Sequence, residues 1–289
     1  MRVVFRGVRG SFPVAGPHTA RYGGSTPCLQ VSTARTTVLI DAGTGILAAG
    51  RDLLARGIRS VHLLIGHTHW DHIQGLPHFP LLYVKGAQIH VCGPARPDRS
   101  LSEVLGRQQE SAFFPVSLRQ VPAHLTFTEV HDGDVLALDD VQCLCHRLNH
   151  PGLVCGYRLE SDGRVLTYAC DVDLVTDRLL GEGMPTAGPE AALWRERLAQ
   201  GARDLAHRAD LLVCDTFFLP EEYKPDWGHS RPQDALQLGL DGQVRRLALF
   251  HHEPHRDDAE LDRLLASCRE QAAGRLEVLV ATEGEEIAL

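Results

Sequence analysis

Four side chains able to ligate a metal ion fall within six residues, His67-Thr68-His69-Trp70-Asp71-His72, and this stretch constrains the 289-residue chain more than any other. Ahead of it runs Ser60-Val61-His62-Leu63-Leu64-Ile65, mostly apolar and of strand length. His67 and His69 are two apart, so on a backbone that is still extended both imidazoles leave the same side. Asp71 and His72 are adjacent and point apart where the chain turns, which suits them to a second ion beside the first. Imidazole favours zinc, and a carboxylate widens the choice towards iron or manganese. This spacing would feed a two-metal centre, whose ions sit about 4 Å apart and activate a bridging water. A polar loop with a few surface histidines is the bland alternative, but four ligand types fixed within six residues directly after an apolar strand speak for metal.

The rest of the composition sets bounds. With 44% hydrophobic residues the chain can bury a substantial core, and its length suits one large domain. A formal charge of −8 without a dense Lys/Arg block argues against binding long nucleic acids. The eight cysteines include no Cys-x-x-Cys pair and mostly sit among apolar residues, so buried free thiols are expected. The N-terminal residues lack a long apolar signal segment and nothing reaches membrane-spanning length, so the expected compartment is the cytoplasm.

In chain order, Val3-Val4-Phe5 opens as a strand and leads to two Gly-rich stretches, from which Arg9 or Arg21 could meet an anion. Cys28 to Val31 and Thr37 to Ile40 read as a hairpin that ends at Asp41. Ile46 to Arg56 has helical spacing and stops at Gly57. A short helix is expected to start near Ile73, after the ligand stretch, and Gln88 to Cys92 is another strand. Prolines 94, 97, 115 and 122 surround a helical stretch, Leu101 to Glu110, and the apolar run 112–116 is a candidate lid or dimer contact. From Leu125 five strands (125–130, 134–138, 141–148, 154–159 and 164–170) alternate with turn signals as in a meander. Pro189 to Arg208 is helical, with Leu193, Leu198 and Leu205 expected towards the core. Strands follow at 211–216 and 246–250. Between them Ser230 and Gln233 read as a capping box that would hold His229 beside a helix N-terminus, a place to meet an anionic substrate. A helix over 257–273 and a strand over 276–281 close the chain.

Further candidate side chains stand at element ends: Asp41, His150 before Pro151-Gly152, Asp171 after Cys170, and Asp215 after Leu211 to Cys214. Phe250 is followed by His251-His252, and His251, directly at the strand end, is the preferred ligand of the two.

The His67-x-His69-x-Asp71-His72 stretch resembles the His-x-His-x-Asp-His signature of the metallo-β-lactamase superfamily. The resemblance runs nearly end to end and implies one domain over residues 1–289, a four-layer αββα sandwich with its metals at one edge of the sheets. It assigns His67, His69 and His150 to the first ion and Asp71, His72 and His251 to the second, with Asp171 bridging both. Asp41 would orient a ligand histidine from behind. Asp215 followed by Gly228-His229-Ser230 resembles the phosphodiesterase branch, in which such a histidine, held by an acid, protonates the leaving oxygen. In the tRNA 3′-processing endonuclease the matching acid is usually Glu, so Asp215 departs from that pattern. The implied activity is hydrolysis of a small phosphodiester, such as a 3′,5′-cyclic nucleotide or a cyclic phosphoribosyl ester, by two divalent ions, zinc first and manganese or iron as alternatives. There Asp71 would help position the attacking hydroxide. The competing readings are an RNA 3′-end nuclease, a carboxyl-ester or lactone hydrolase on the same metals, and a non-enzymatic metal-stabilised binding protein. A homodimer is a further expectation of the resemblance.

Overall fold

Strand residues here are apolar on both faces where a strand lies deep in a sheet, and that decides the layering. In the structure, a computed structural model describing residues 1–289, the chain first lays down β1 (Arg2–Gly7), β2 (Cys28–Ser32), β3 (Thr37–Ile40), α1 (Ile46–Ala55), β4 (Ser60–Leu64), α2 (Trp70–Ile73), β5 (Gln88–Pro94), α3 (Leu101–Arg107) and β6 (His124–Val130). A second run gives β7 (Val135–Leu138), β8 (Val141–Arg147), β9 (Cys155–Ser161), β10 (Arg164–Ala169), α4 (Gly188–Ala206), β11 (Leu211–Asp215), α5 (Pro232–Asp241), β12 (Arg246–Phe250), α6 (Asp258–Ala272), β13 (Glu277–Val280) and β14 (Glu286–Ala288).

Two seven-stranded mixed sheets result, in the orders β14-β1-β2-β3-β4-β5-β6 and β13-β12-β11-β10-β9-β8-β7. In β11, Leu211 and Val213 join the core between the sheets, while Leu212 and Cys214 face the helices outside. In β4, Leu64 faces the other sheet, and Val61 and Leu63 face α1. Burial on both faces is what parallel strands require, and β3 to β6 and β10 to β13 are the parallel parts. The result is the expected αββα sandwich. All eight cysteines are free and buried, and no helix is long and apolar enough to cross a membrane.

Several local readings need correction. The short helix begins at Trp70, so Asp71 and His72 lie inside it and not before it. Leu193 is 72% exposed, because it lies about 120–140° round α4 from Leu198 and Leu205, on a different face from the one they share with the buried Ala191. The helix after His229 starts at Pro232, because Pro favours the first helical turn. Its box is made by Arg231 and Asp234, and Ser230 Oγ donates instead to Val172 O at 2.6 Å. Arg9 meets no anion: it is wholly buried and donates to backbone carbonyls. Arg21 is occupied by Asp262 at the surface. In the 112–116 run Phe113 is 75% exposed, and Phe114 rests edge-on against His78. The closing strand β14 was too short to read, yet it extends the first sheet by pairing with β1.

Burial makes a direct test of the α4 correction. Leu205→Ala should cost about 2–5 kcal/mol in urea unfolding, whereas Leu193→Ala should stay within about 0.5 kcal/mol of wild type.

Candidate metal centre

The carboxyl ends of β3, β4, β10, β11 and β12 come together at one rim of the sandwich, the place where open α/β sheets present their sites. Each end delivers a polar side chain. β3 ends at Asp41, β4 at Gly66 and the ligand stretch, β10 at Asp171, β11 at Asp215 and β12 at His251. Asp41, Asp171 and His251 all have positive φ, at 63°, 57° and 60°. That left-handed conformation is costly for a residue with a Cβ, and it turns each side chain sharply across the rim.

Two groups of ligand atoms form there. His67, His69, His150 and Asp171 make the first; His72, Asp171 and His251, with Cys170 behind them, make the second. Asp71 Oδ2 completes the second group, 3.2 Å from His251 Nε2 and 3.5 Å from His72 Nε2. Asp171 faces both: one oxygen lies 3.4 Å from His67 Nε2 and 3.6 Å from His150 Nε2, the other 3.2 Å from His72 Nε2 and from His251 Nε2.

Proton bookkeeping shows that these groups fit a cation. His72 Nδ1–H donates to Asp41 Oδ2 at 2.7 Å and His150 Nδ1–H to Gly228 O at 2.7 Å, so in the neutral imidazoles that a metal would bind the lone pair of each is on Nε2. His72 Nε2 then faces His251 Nε2 at 3.3 Å, and His150 Nε2 faces His69 Nδ1 at 3.2 Å. His67 Nε2 is buried with no partner. Nitrogens and oxygens 3.2–3.6 Å apart are the edges of a polyhedron whose centre lies about 2.0–2.1 Å from each, the bond length of zinc to imidazole.

The charge balance points the same way. Burial opposes a charged His72, yet Asp171, Asp71 and Asp41 together push it well above its ordinary range. Burial alone would raise Asp171, but His251, His72 and His67 hold it well below the usual carboxylate range. Asp71 is likewise depressed against burial by His72 and His251. Burial keeps His67, His69 and His150 below the ordinary histidine range, His150 at about 3. That shift favours the neutral forms, which are the ones able to ligate.

A second arrangement sits beside the cluster. His229 Nδ1–H donates to Asp215 Oδ2 at 2.7 Å. Asp215 also accepts the amides of Val172 and Phe217 at 3.2 and 3.0 Å, which fixes the carboxylate. The Phe217 ring stacks on His229 at 4.7 Å and 19°. Burial lowers the His229 pKa, but Asp215, with Asp171 and Asp71 beyond it, outweighs burial and raises it to about 9. The His229 ring lies 5.0 Å from that of His150 and 5.2 Å from that of His251. Gly228 makes this approach possible. Its φ is 79°, and a Cβ there would come within 2.5 Å of His150 Nδ1.

Residues 36–252 match the family model described as Beta-lactamase superfamily domain. The chain belongs to that superfamily. It is similar to Ribonuclease Z of Treponema pallidum (strain Nichols), 24% identical over 264 residues, with 78% of this chain and 81% of the relative covered. Among solved structures it is similar to the metallo-beta-lactamase fold protein YhfI from Bacillus subtilis, with a TM-score of 0.69, 16% identity and 99% of each chain covered. Human tRNase Z, short form, gives a TM-score of 0.64 at 19% identity, covering 100% of this chain and 99% of that one. This superfamily member is a hydrolase, and its two sheets are those of the metallo-β-lactamase fold.

Of the residues singled out in the sequence, His67, His69, Asp71, His72, His150, Asp171 and His251 meet at the rim, with Asp41 behind His72 and the His229–Asp215 pair beside them. His252 does not join: its Nε2 bonds Ala281 O at 2.9 Å, and it points into the core. Three contributors escaped sequence reading. Tyr168 O–H donates to Asp41 Oδ2 at 2.6 Å, Ser11 N–H donates to Asp71 Oδ2 at 2.7 Å, and Cys170 Sγ lies 3.0 Å from Asp171 Oδ1. Strand alternation puts Tyr168 and Cys170 on one face towards the rim, a signal that was present. Nothing local marks Ser11.

Asp41 carries the most hydrogen bonds behind the centre, so its removal is diagnostic. Asp41→Ala should lower metal affinity about 10–100-fold, measured by competition with a chromophoric chelator.

Proposed function

We propose that this chain is a dinuclear metal-dependent phosphodiesterase, formed as one domain over residues 1–289, that hydrolyses a small phosphodiester such as a 3′,5′-cyclic nucleotide or a cyclic phosphoribosyl ester. His67, His69 and His150 would hold one divalent ion and Asp71, His72 and His251 the other, with Asp171 facing both groups. Zinc is the first choice because the donor set is mostly imidazole, with manganese or iron as alternatives. Bound divalent ions supply an activated water at neutral pH and neutralise charge on a phosphoryl group.

The single observation carrying the phosphodiester reading is the His229–Asp215 pair at 2.7 Å beside the ligand cluster. Asp215 occupies Nδ1, so the second proton of the imidazolium is on Nε2. A pKa raised to about 9 keeps that proton in place at neutral pH. As the bond from phosphorus to the leaving oxygen breaks, Nε2–H donates to that oxygen, and neutral His229 remains bonded to Asp215. An alkoxide is a poor leaving group and needs this donor; a lactone or thioester needs it less. Asp71, fixed by the Ser11 amide, orients the attacking water. Phe217, flat on the imidazole, holds the ring in line and keeps water from one of its faces.

Likeness to Ribonuclease Z over more than three quarters of the chain supports a second reading, RNA 3′-end processing by the same residues. The charge of −8 favours the small substrate.

Metal-loaded wild type and His229→Ala should be compared on bis(p-nitrophenyl) phosphate, 3′,5′-cyclic AMP and an RNA bearing a 3′ extension. The expected result is cleavage of both small esters by wild type. His229→Ala should retain its metal and the nitrophenyl reaction and lose about 10²–10⁴-fold on the cyclic nucleotide. Preferred cleavage of the RNA would move the assignment to the second reading. Turnover of a lactone with neither phosphodiester cleaved would refute both. In wild type the cyclic-nucleotide rate should fall as pH rises through a value at or below about 9, because losing the His229 proton removes the donor and nearby dications draw its pKa down. The nitrophenyl rate should lack that limb.

A further inference from the structure

We propose that Arg9 is a positioning residue for the Asp71–His251 half of the metal centre, acting through the loop that carries Gly10 and Ser11; this rests on the two-metal reading above. Arg9 is completely buried, yet no carboxylate lies within ion-pair distance of it. Its Nε donates to Gly23 O at 2.8 Å, and Nη1 donates to Arg256 O at 2.7 Å and Glu253 O at 3.2 Å. Nη2 is buried without a partner. A guanidinium spent on carbonyls alone is an expensive way to fill space, so its value lies in what the three carbonyls hold together.

They hold the loop over two ligands. The Arg9 amide bonds Ser25 O at 2.9 Å, the Gly10 amide bonds His252 O at 3.0 Å, and the His252 amide bonds Val8 O at 2.9 Å. This pins residues 8–10 to the 23–25 turn and to the segment after β12. Gly10 is then pressed against the His251 imidazole so closely that a Cβ would come within 2.6 Å of the ring. Ser11, forced to a φ of 61°, aims its N–H at Asp71 Oδ2, 2.7 Å away. Both contacts fall on ligands of the same ion.

His251 has special need of such support. His72 and His150 are each oriented by a hydrogen bond from Nδ1, whereas His251 Nδ1 is buried with no partner. With no bond at Nδ1, its ring is set by Nε2 facing Asp71 Oδ2 at 3.2 Å and by packing, with Gly10 against the ring, His229 stacked at 5.2 Å and Phe217 at 5.8 Å. Lysine could not substitute fully. A single ammonium cannot span carbonyls that diverge from Gly23 to Arg256, whereas a planar fork can.

The test is a zinc titration of metal-free full-length protein, with cobalt(II) absorption spectra of each equivalent. His251→Ala and His150→Ala identify which equivalent belongs to which half. Wild type should bind two equivalents. Arg9→Met should keep the His67–His69–His150 equivalent at wild-type affinity, weaken the other tenfold or more and change its cobalt spectrum. Arg9→Lys should fall between. Arg21→Ala, which removes the surface Arg21–Asp262 pair while Tyr22 keeps its own bond to Asp262, should bind as wild type. Equal weakening of both equivalents in Arg9→Met, or of neither, overturns the proposal, as does the same split in Arg21→Ala. If Arg9→Met does not fold, Arg9→Lys decides, and a wild-type cobalt spectrum in it overturns the proposal. Fewer than two equivalents in wild type would instead refute the two-metal reading itself.

Discussion

The rim depends first on one buried carboxylate, that of Asp41. Its Oδ1 accepts the Gly66 amide at 2.7 Å, and its Oδ2 accepts His72 Nδ1–H and the Tyr168 hydroxyl at 2.7 and 2.6 Å. Gly66 and His72 belong to the first sheet and the helix after it, and Tyr168 belongs to the second sheet. A fully buried carboxylate is tolerable only when its oxygens are satisfied, so the three donors must arrive together. Meeting that requirement sets the turn after β4, the tautomer of His72 and the distance between the sheets at their open edge.

The remaining rim follows the same logic of costs met by a shared counter-charge. Asp41, Asp171 and His251 adopt left-handed backbone conformations at three strand ends, and six of the seven ionisable ligand groups are buried, with His69 alone at the surface. Each feature alone destabilises a fold. Together they form a cage whose lone pairs point inward, and its cost is offset when cations occupy it. The His229–Asp215 pair is built differently, with every acceptor of Asp215 used and the imidazole stacked on Phe217, which suits a group that must move a proton and not bind an ion.

Much of this was legible in the sequence because it is local or terminal. The His67-to-His72 stretch announces itself by spacing, and Asp41, His150, Asp171, Asp215 and His251 stand where apolar strands stop. Element order points to a mixed sheet with helices outside, and the resemblance of the ligand stretch implies the four-layer sandwich. What escaped depends on long-range placement. Arg9 looks like a loop cation available to an anion, and only the fold shows three carbonyls from distant segments closing around it. Ser11 becomes important only because β12 brings His251 beneath its loop. Leu193 stands five residues before Leu198 and twelve before Leu205, off the face of α4 that those two share with Ala191, so its apolar character alone misjudged its burial. Ser230 fits a capping pattern, yet Pro232 moved the helix start and left its hydroxyl to Val172 O.

The account stands or falls on a two-ion centre bridged by Asp171. The most direct measurement is anomalous scattering at the zinc edge from crystals of the zinc-loaded protein. Two peaks about 3.5–4 Å apart, one within bonding distance of His67, His69 and His150 and the other of Asp71, His72 and His251, with Asp171 between them, are the predicted result. A single peak at saturating zinc, or a pair that leaves Asp171 unbound, would contradict it.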